Sequence, residues 1–548
     1  MAERFDIVIV GAGPVGLLVA NFLGADGLDV LVVEALPQLI DYPRGVGMDD
    51  ESMRAFQAAG LIDAVLPHTT PNHAMRFVDG HGRIFASIEP DTDEFGWPRR
   101  NAFIQPLVDR ASADGLARYP NVTLRTGCRV TRFVQDAGQV TVSLDTATGP
   151  HTVSCRYLVG CDGGRSPIRE ALGFAFEGKT DANRWIVVDI ANDPIGHPGA
   201  YLHADPARPY VSIALPHGIR RLEFMLFDGE GADGEVPRDV LNRMMANVLP
   251  DPARIDLIRA RVYTHNGRLA ESFRRGRVLI AGDAAHIMPV WQGQGFNSGI
   301  RDAFNLGWKL SLVGRGLCDD RLLDSYEVER KLHAKAMIAL SQTAGAILAV
   351  RHPAKVLARD LFTRAINLLP PVKRYFLEMR FKPMPRYRAG ALYYGPGGFD
   401  AASPVGRIFI QPRVATADGW QGLLDDAIGS GFALISWGVD PTRWVSSEAR
   451  AILATLGCKL VWVVPTTGLS YESQRHPDIL VLGDTQERLK RWFGRTPHAM
   501  VLLRPDRFVA LHCGPQDLDA QLHALAAEIG VRTDAATQAP VAEQAAAA

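Results

Sequence analysis

The apolar positions near the N-terminus fall into two short runs flanking a longer stretch of helical spacing. Phe5–Val10 (FDIVIV) is rich in β-branched residues and stops at a glycine, as a strand buried on both faces does. Val15–Leu23 has helical spacing, and Val30–Val33 is a second apolar run. This order predicts strand–turn–helix–strand. Thr123–Thr126, Val140–Leu144 and Tyr157–Cys161 predict further strands. The runs Trp185–Ile190, Tyr210–Ala214 and Arg221–Phe227 alternate with turns, which predicts a mostly antiparallel sheet inserted into the first fold. Val278–Ala281 reads as another buried strand, and helical patterns follow over Ser298–Arg315 and Leu322–Val350. Pro370, Pro371, Pro383, Pro385 and Pro396 predict a linker near 370–400. Residues 405–530 predict a smaller α/β unit. The terminal TQAPVAEQAAAA has no apolar period and predicts no packed structure. No internal repeat is evident.

The 548 residues are enough for three or four domain-sized units. Lys+Arg 59 against Asp+Glu 60 gives a net charge of −1, with no electrostatic reason to expect nucleic acid or an anionic membrane as partner. Nine of the basic residues are lysines, none before Lys179, so fifty are arginines. An Arg-favouring genome explains most of that bias; arginines that fork onto phosphates or carboxylates are the alternative for some. The six cysteines include no C-x-x-C pair, which excludes a zinc ribbon and a thioredoxin-type redox pair; no metal is expected. Scattered reduced thiols, no basic apolar leader and no apolar run of about 18 residues point to a cytoplasmic protein.

Three motifs carry chemistry. Gly11-Ala12-Gly13-Pro14-Val15-Gly16 is a G-x-G-x-x-G between a strand and a helix, with Glu34 ending the next strand. Gly11 allows the tight turn, Gly13 lets backbone approach a pyrophosphate, and Gly16 lets helix pack on sheet. Glu34 can accept from a ribose hydroxyl, which favours the ADP-ribose of FAD or NAD over NADP. Cys161-Asp162-Gly163-Gly164-Arg165-Ser166 follows a strand and by itself is only an Asx-type turn. Gly282-Asp283-Ala284-Ala285-His286 leads through Pro289 to Gly293-Gln294-Gly295-Phe296-Asn297 at the start of a long helix. A carboxylate there suits a ribityl hydroxyl, and a helix N-terminus suits a pyrimidine carbonyl that gains negative charge on flavin reduction.

Together these motifs resemble the FAD-dependent aromatic hydroxylases, the family typified by para-hydroxybenzoate hydroxylase and phenol hydroxylase. The resemblance adds Arg44 in YPRGVGMDDES at the FAD ribose or phosphate, and Gln105 in FIQPLVDR facing the flavin. It also covers the stretches Arg301–Leu310 and Ser325–Arg330. Within the family, DYPRGVGMDDES, DEFGWPRRNAFIQP, HIMPVWQGQGFNSG and LPPVKRYFLEMRFKPMP are similar to the hydroxylases of 3-(3-hydroxyphenyl)propionate and 3-hydroxycinnamate. This implies an α/β, Rossmann-like FAD-binding domain with an inserted substrate sheet and a C-terminal thioredoxin-like domain without redox cysteines. The implied segments are 1–75, 105–182 and 276–370 for FAD, the last with further helices. The substrate domain takes 76–104 and 183–275, followed by a linker at 371–404, the thioredoxin-like unit at 405–530 and the tail at 531–548. The resemblance implies FAD as cofactor, and NADH, O₂ and a small phenolic acid as reactants. Ortho-hydroxylation would run through a flavin C4a-hydroperoxide, and a homo-oligomer is compatible with it.

Such chemistry needs a group that favours phenolate character. The sequence offers Asp49, Asp50, His286, Tyr210 and Tyr263, each with a plainer alternative. Asp49-Asp50-Glu51 suits a helix N-terminus, His286 could cap or pack, and both tyrosines could be core. Arg184, His203, Arg208, Arg220 and Arg221 are unranked candidates for the substrate carboxylate. Trp291 could wall an aromatic pocket or simply pack. Two competing readings remain at this point: the same chemistry on another phenol or a polyketide aromatic, and a flavin-bound protein with no catalysis.

Overall fold

The computed structural model describes residues 3–42, 44–231, 235–495 and 499–533. All but the first three residues of the expected tail therefore lie outside the described residues. The chain divides into two compact units. One comprises residues up to Asp93 with Trp97–Ala303 and Lys331–Met384; the other comprises Glu94–Gly96, Phe304–Arg330 and Pro385 onward.

In the first unit, Glu3–Val10 pairs in parallel with Val30–Val33 on one side and Gly149–Gly160 on the other. Val122–Arg125 and Val278–Ile280 extend the parallel sheet outward. Ile7, Val8 and Ile9 are fully buried, which is why successive positions there are all apolar. The helix Pro14–Ala25 follows the first strand, with proline in its first turn where no backbone donor is lost.

The second sheet has eight strands in the order His286–Ile287, Asp256–Ala270, Phe176–Ala191, Ile219–Met225, Tyr210–Leu215, Ala200–Ala204, Met75–Asp79, Ile84–Ile88. Each neighbouring pair is antiparallel except Ala200–Ala204 against Met75–Asp79. Alternation along the strands separates two faces. Ile186, Val188, Ile190, Leu222 and Phe224 turn one way and pack on Leu241, Met244 and Met245 of the helix Arg238–Met245. Val187, Arg221, Glu223, Arg261 and Tyr263 turn the other way and line a cavity.

Two long helices, Gln294–Gly314 and Asp324–Leu348, correspond to the helical patterns. The proline-marked stretch differs from expectation: Pro370–Leu377 is a helix. Pro370 and Pro371 occupy its first turn, so they open a helix where a linker was expected.

The second unit holds a seven-stranded sheet. Ala433–Trp437, Lys459–Pro465 and Leu480–Asp484 are parallel; Met500–Leu503 and Val509–Cys513 add antiparallel strands. Phe409, Ile435, Val461, Leu482 and Leu503 form its core. Glu329 is buried against the Arg504 guanidinium at 2.7 Å and Lys309 Nζ at 2.8 Å. These two cations overcome burial and hold its carboxyl down at about 2.

Candidate active site

The glycines of the fingerprint have different steric reasons. Gly11 has φ +105°, and a Cβ on it would overlap the Cys161 carbonyl oxygen. A Cβ on Gly16 would overlap the Gly11 carbonyl and press on Ile9. A Cβ on Gly13 would meet no protein atom within 4 Å, although Gly13 caps the helix and lines the cavity. The space over Gly13 is thus open for something other than protein. Glu34 accepts from Ala12 N–H at 2.9 Å and from Leu36 N–H at 2.9 Å, which draws its carboxylate up against the glycine turn.

The other motifs converge on the same cavity. Pro14, Arg44, Gln105, Gly163, Gly282, Asp283, Gly293 and Gly295 line it with Gly13. Arg44 pairs with Asp283 at 3.5 Å, both about half-exposed. Asp283 sits in the short turn Gly282–Ala284 beyond the strand, and Gly282 N–H donates to Asp302. Gln105 accepts from Gly45 N–H at 2.7 Å and donates to Asp109 at 3.1 Å. Asp162 gives one carboxylate oxygen to Ile168 N–H, while the other is buried without a partner. Pro289 caps the turn Val290–Gln292 that leads to Gly293. Asn297 is saturated by protein: it accepts from Asp49 N–H and Ser52 Oγ and donates to the Gly47 and Gly293 carbonyls. It pins the start of the helix Gln294–Gly314.

The five phenol-activation candidates separate. Asp50 is fully buried, paired with Arg99 at 3.1 Å, and lies outside the cavity lining. Asp49 caps the helix Asp50–Ala58 through Ser52 N–H and is buried against Arg301 and Lys382, with Glu51 in the same cluster. Burial favours its neutral form, but the two cations outweigh that and lower its carboxyl. Asp49 is therefore a buried structural acid outside the cavity lining. His286 is buried and bonds Asp302 at 2.6 Å, also outside the lining. Tyr210 stacks on His203 at 4.0 Å and lies on the far face with Phe224. Only Tyr263 reaches the cavity, where its hydroxyl donates to Glu223 at 2.7 Å. Burial and the Glu223 charge hold that phenol in its protonated form.

Of the five carboxylate candidates only Arg221 lines the cavity. Arg184 binds the Glu230 and Gly231 carbonyls, Arg208 pairs with Glu230, Arg220 with Asp193, and His203 stacks on the other face. Sequence reasoning did not single out Asp189, Glu223, Arg259, Arg261 or His265. Asp189 is fully buried and shared by Arg221 at 2.8 Å and Arg259 at 2.7 Å. The signal was present in Arg259-x-Arg261-x-Tyr263-x-His265, polar residues at every second position of one strand.

The cavity encloses about 460 Å³ and runs from the glycine turn to the substrate-sheet face. Five arginines line it (Arg44, Arg100, Arg221, Arg259, Arg261) against two carboxylates, Glu223 and Asp283. Its chemistry suits an anionic ligand with aromatic parts, and the open space over Gly13 fits a pyrophosphate.

Residues 4–341 match the model of the FAD binding domain family, and residues 406–528 that of the HcaD C-terminal domain. The chain belongs to the FAD-dependent aromatic hydroxylases. It is 55% identical over 529 residues to a Klebsiella pneumoniae protein named 3-(3-hydroxy-phenyl)propionate/3-hydroxycinnamic acid hydroxylase, covering 96% of this chain and 95% of that one. Among solved structures it resembles the anhydrotetracycline hydroxylase OxyS of Streptomyces rimosus (25% identity, TM-score 0.76). It also shares the fold of the flavin-dependent monooxygenase PieE (22% identity, TM-score 0.80). Each match covers 96% of this chain and 99% of the other. The expected family, fold class and FAD dependence of this hydroxylase are therefore established, and it is an enzyme.

Proposed function

We propose that this hydroxylase uses NADH and O₂ to add an ortho hydroxyl to 3-(3-hydroxyphenyl)propionate and 3-hydroxycinnamate, giving the 2,3-dihydroxyphenyl product. The observation that carries this reading is one continuous cavity joining the glycine fingerprint to an aromatic and arginine-rich sheet face. The names of full-length relatives support the substrate. Bound FAD would supply the redox and oxygen-activating chemistry.

The chain's own residues would then bind, orient and exclude water. Gly11, Gly13, Pro14 and Gly16 would present the helix N-terminus to the pyrophosphate, with Glu34 at the ribose. Arg44 and Asp283 would hold the phosphate–ribityl portion, beside Gly163 and Asp162. Gln105, Pro289, Gly293, Gly295 and Asn297 would shape the site of the flavin ring, whose carbonyl would meet the helix start. Arg221, flanked by Arg259 and Arg261, would attract the substrate carboxylate. Tyr263, its proton committed to Glu223, would offer only lone pairs to the phenol.

The unit from Pro385 onward we read as thioredoxin-like. Lys459–Pro465, Ala433–Trp437, Met500–Leu503 and Val509–Cys513 stand side by side, with the last two antiparallel. Cys458 and Cys513 are free and not a C-x-x-C pair, so its role is structural or in assembly of copies.

The test mixes purified holoenzyme with NADH and a panel of phenols. Strongly stimulated NADH oxidation matched by catechol product with 3-(3-hydroxyphenyl)propionate is expected. Equal or better coupling with an unrelated phenol or a polyketide aromatic overturns the substrate.

A further inference from the structure

His265 is 2% exposed, yet it lines the cavity, and neither of its ring nitrogens has a hydrogen-bond partner. Leaving a buried polar side chain unpaired is unfavourable, so a persistent orphan facing a cavity marks a place where a ligand completes the bond. The surroundings identify the chemistry of that ligand. The His265 ring lies 4.3 Å from Trp291, 4.9 Å edge-on from Tyr263 and 5.9 Å from Trp185. Trp291 and Tyr263, which line the cavity, make with His265 a wall suited to an aryl group, backed by the buried Trp185. Trp291 is itself fixed, since a Cβ on Gly345 of the helix Asp324–Leu348 would overlap its indole. The neighbouring Tyr263 hydroxyl is committed, its proton donated to Glu223.

We propose that His265 accepts the hydrogen bond of the substrate's phenolic hydroxyl and so sets which ring carbon is presented for hydroxylation. This rests on the phenolic-acid reading above. Burial pushes the imidazole down to about 4, so it is neutral at working pH. A neutral ring is a poor partner for a carboxylate and a good acceptor for a phenol O–H. The cations Arg259 and Arg261 lie four to six residues away on the same strand, roughly 13–20 Å of rise, which sends the substrate's anionic end the other way.

The test uses holoenzyme and three ligands: 3-(3-hydroxyphenyl)propionate, 3-phenylpropionate and 3-(3-methoxyphenyl)propionate. Binding is read from the perturbation of flavin absorbance, and coupling from product per NADH. Wild type should prefer the phenol over both analogues by about 10- to 100-fold. His265→Phe should abolish that preference while leaving 3-phenylpropionate affinity and FAD content unchanged. His265→Gln, whose amide keeps an acceptor, should restore part of it. Retained preference in His265→Phe overturns the assignment of His265 alone. A wild-type enzyme that neither binds nor hydroxylates the phenol overturns the substrate reading, and this proposal with it. Equal loss for all three ligands in both variants would show a purely structural histidine.

Discussion

Gly13→Ala isolates the cofactor from the fold. Gly13 is an extended helix cap with φ −80° and ψ 179°, a conformation alanine adopts without strain, and the added methyl meets no protein atom within 4 Å. The apoprotein should therefore keep its stability or gain up to about 1 kcal/mol, because alanine restricts the unfolded chain. The methyl instead projects into the cavity space that the pyrophosphate would use. Losing one backbone N–H bond to a charged phosphate costs about 1.5–3 kcal/mol. At about 1.4 kcal/mol per decade, FAD should bind roughly 10- to 150-fold more weakly. Gly16→Ala is the contrast: its Cβ overlaps the Gly11 carbonyl, so the apoprotein itself should lose about 1–3 kcal/mol. Thermal unfolding of both apoproteins and FAD titration by flavin fluorescence give the two readings. FAD affinity within twofold of wild type for Gly13→Ala, or an apoprotein as damaged as Gly16→Ala, would refute the reasoning. The larger Gly13→Val should yield protein purified without flavin.

Tyr263→Phe should lower kcat/KM for the phenolic acid about 10-fold or more, since it leaves buried Glu223 without its hydroxyl donor; Tyr210→Phe, on the opposite face, should stay within a few-fold, and the reverse order in steady-state kinetics would refute the face assignment. Lys382→Met leaves the buried Asp49 and Glu51 with Arg301 alone, and should cost about 3–5 kcal/mol in thermal or denaturant unfolding. The same cluster predicts the acid response: Asp50 is pushed up to about 6 by burial, so its protonation below pH 6 favours the folded state, whereas Glu51 and Asp49 are held below their ordinary values. Their stabilisation is present above about pH 4 and lost as pH falls through their folded values. This group should therefore make unfolding midpoints hold from pH 7 to 5 and drop below 4; a steady fall from pH 7 would contradict it. Glu329→Gln leaves Lys309 facing a neutral amide and Arg504 with Asp506 as its remaining carboxylate, and should destabilise the full chain by about 3–5 kcal/mol, read by thermal unfolding.

What the sequence determined by itself is local. Phe5–Val10, the three fingerprint glycines and Glu34 specify a strand, a turn and a helix within one short stretch, because turn geometry and apolar periodicity act between near neighbours. The residues named there, with Asp283 and Gly293, were legible because each belongs to a motif with its own backbone demand; Arg44 and Gln105 were reached only through the family resemblance. The substrate face was not. Tyr210 and Tyr263 read alike in sequence, and Arg220 and Arg221 are adjacent; a side-chain period of two sends one of each pair to the cavity and the other away. That parity is decided only by which strand pairs with which, through the register that sets Glu223 opposite Val187 and Tyr263 opposite Trp185. The same holds for Asp49, which in sequence stands close to the motif loop. Tertiary contact with Arg301 and Lys382, far along the chain, makes it a buried ion-paired cap. His265, without a motif and without a bonding partner, becomes a candidate only once the sheet closes around it. Long-range pairing carries that information, and no local pattern encodes it.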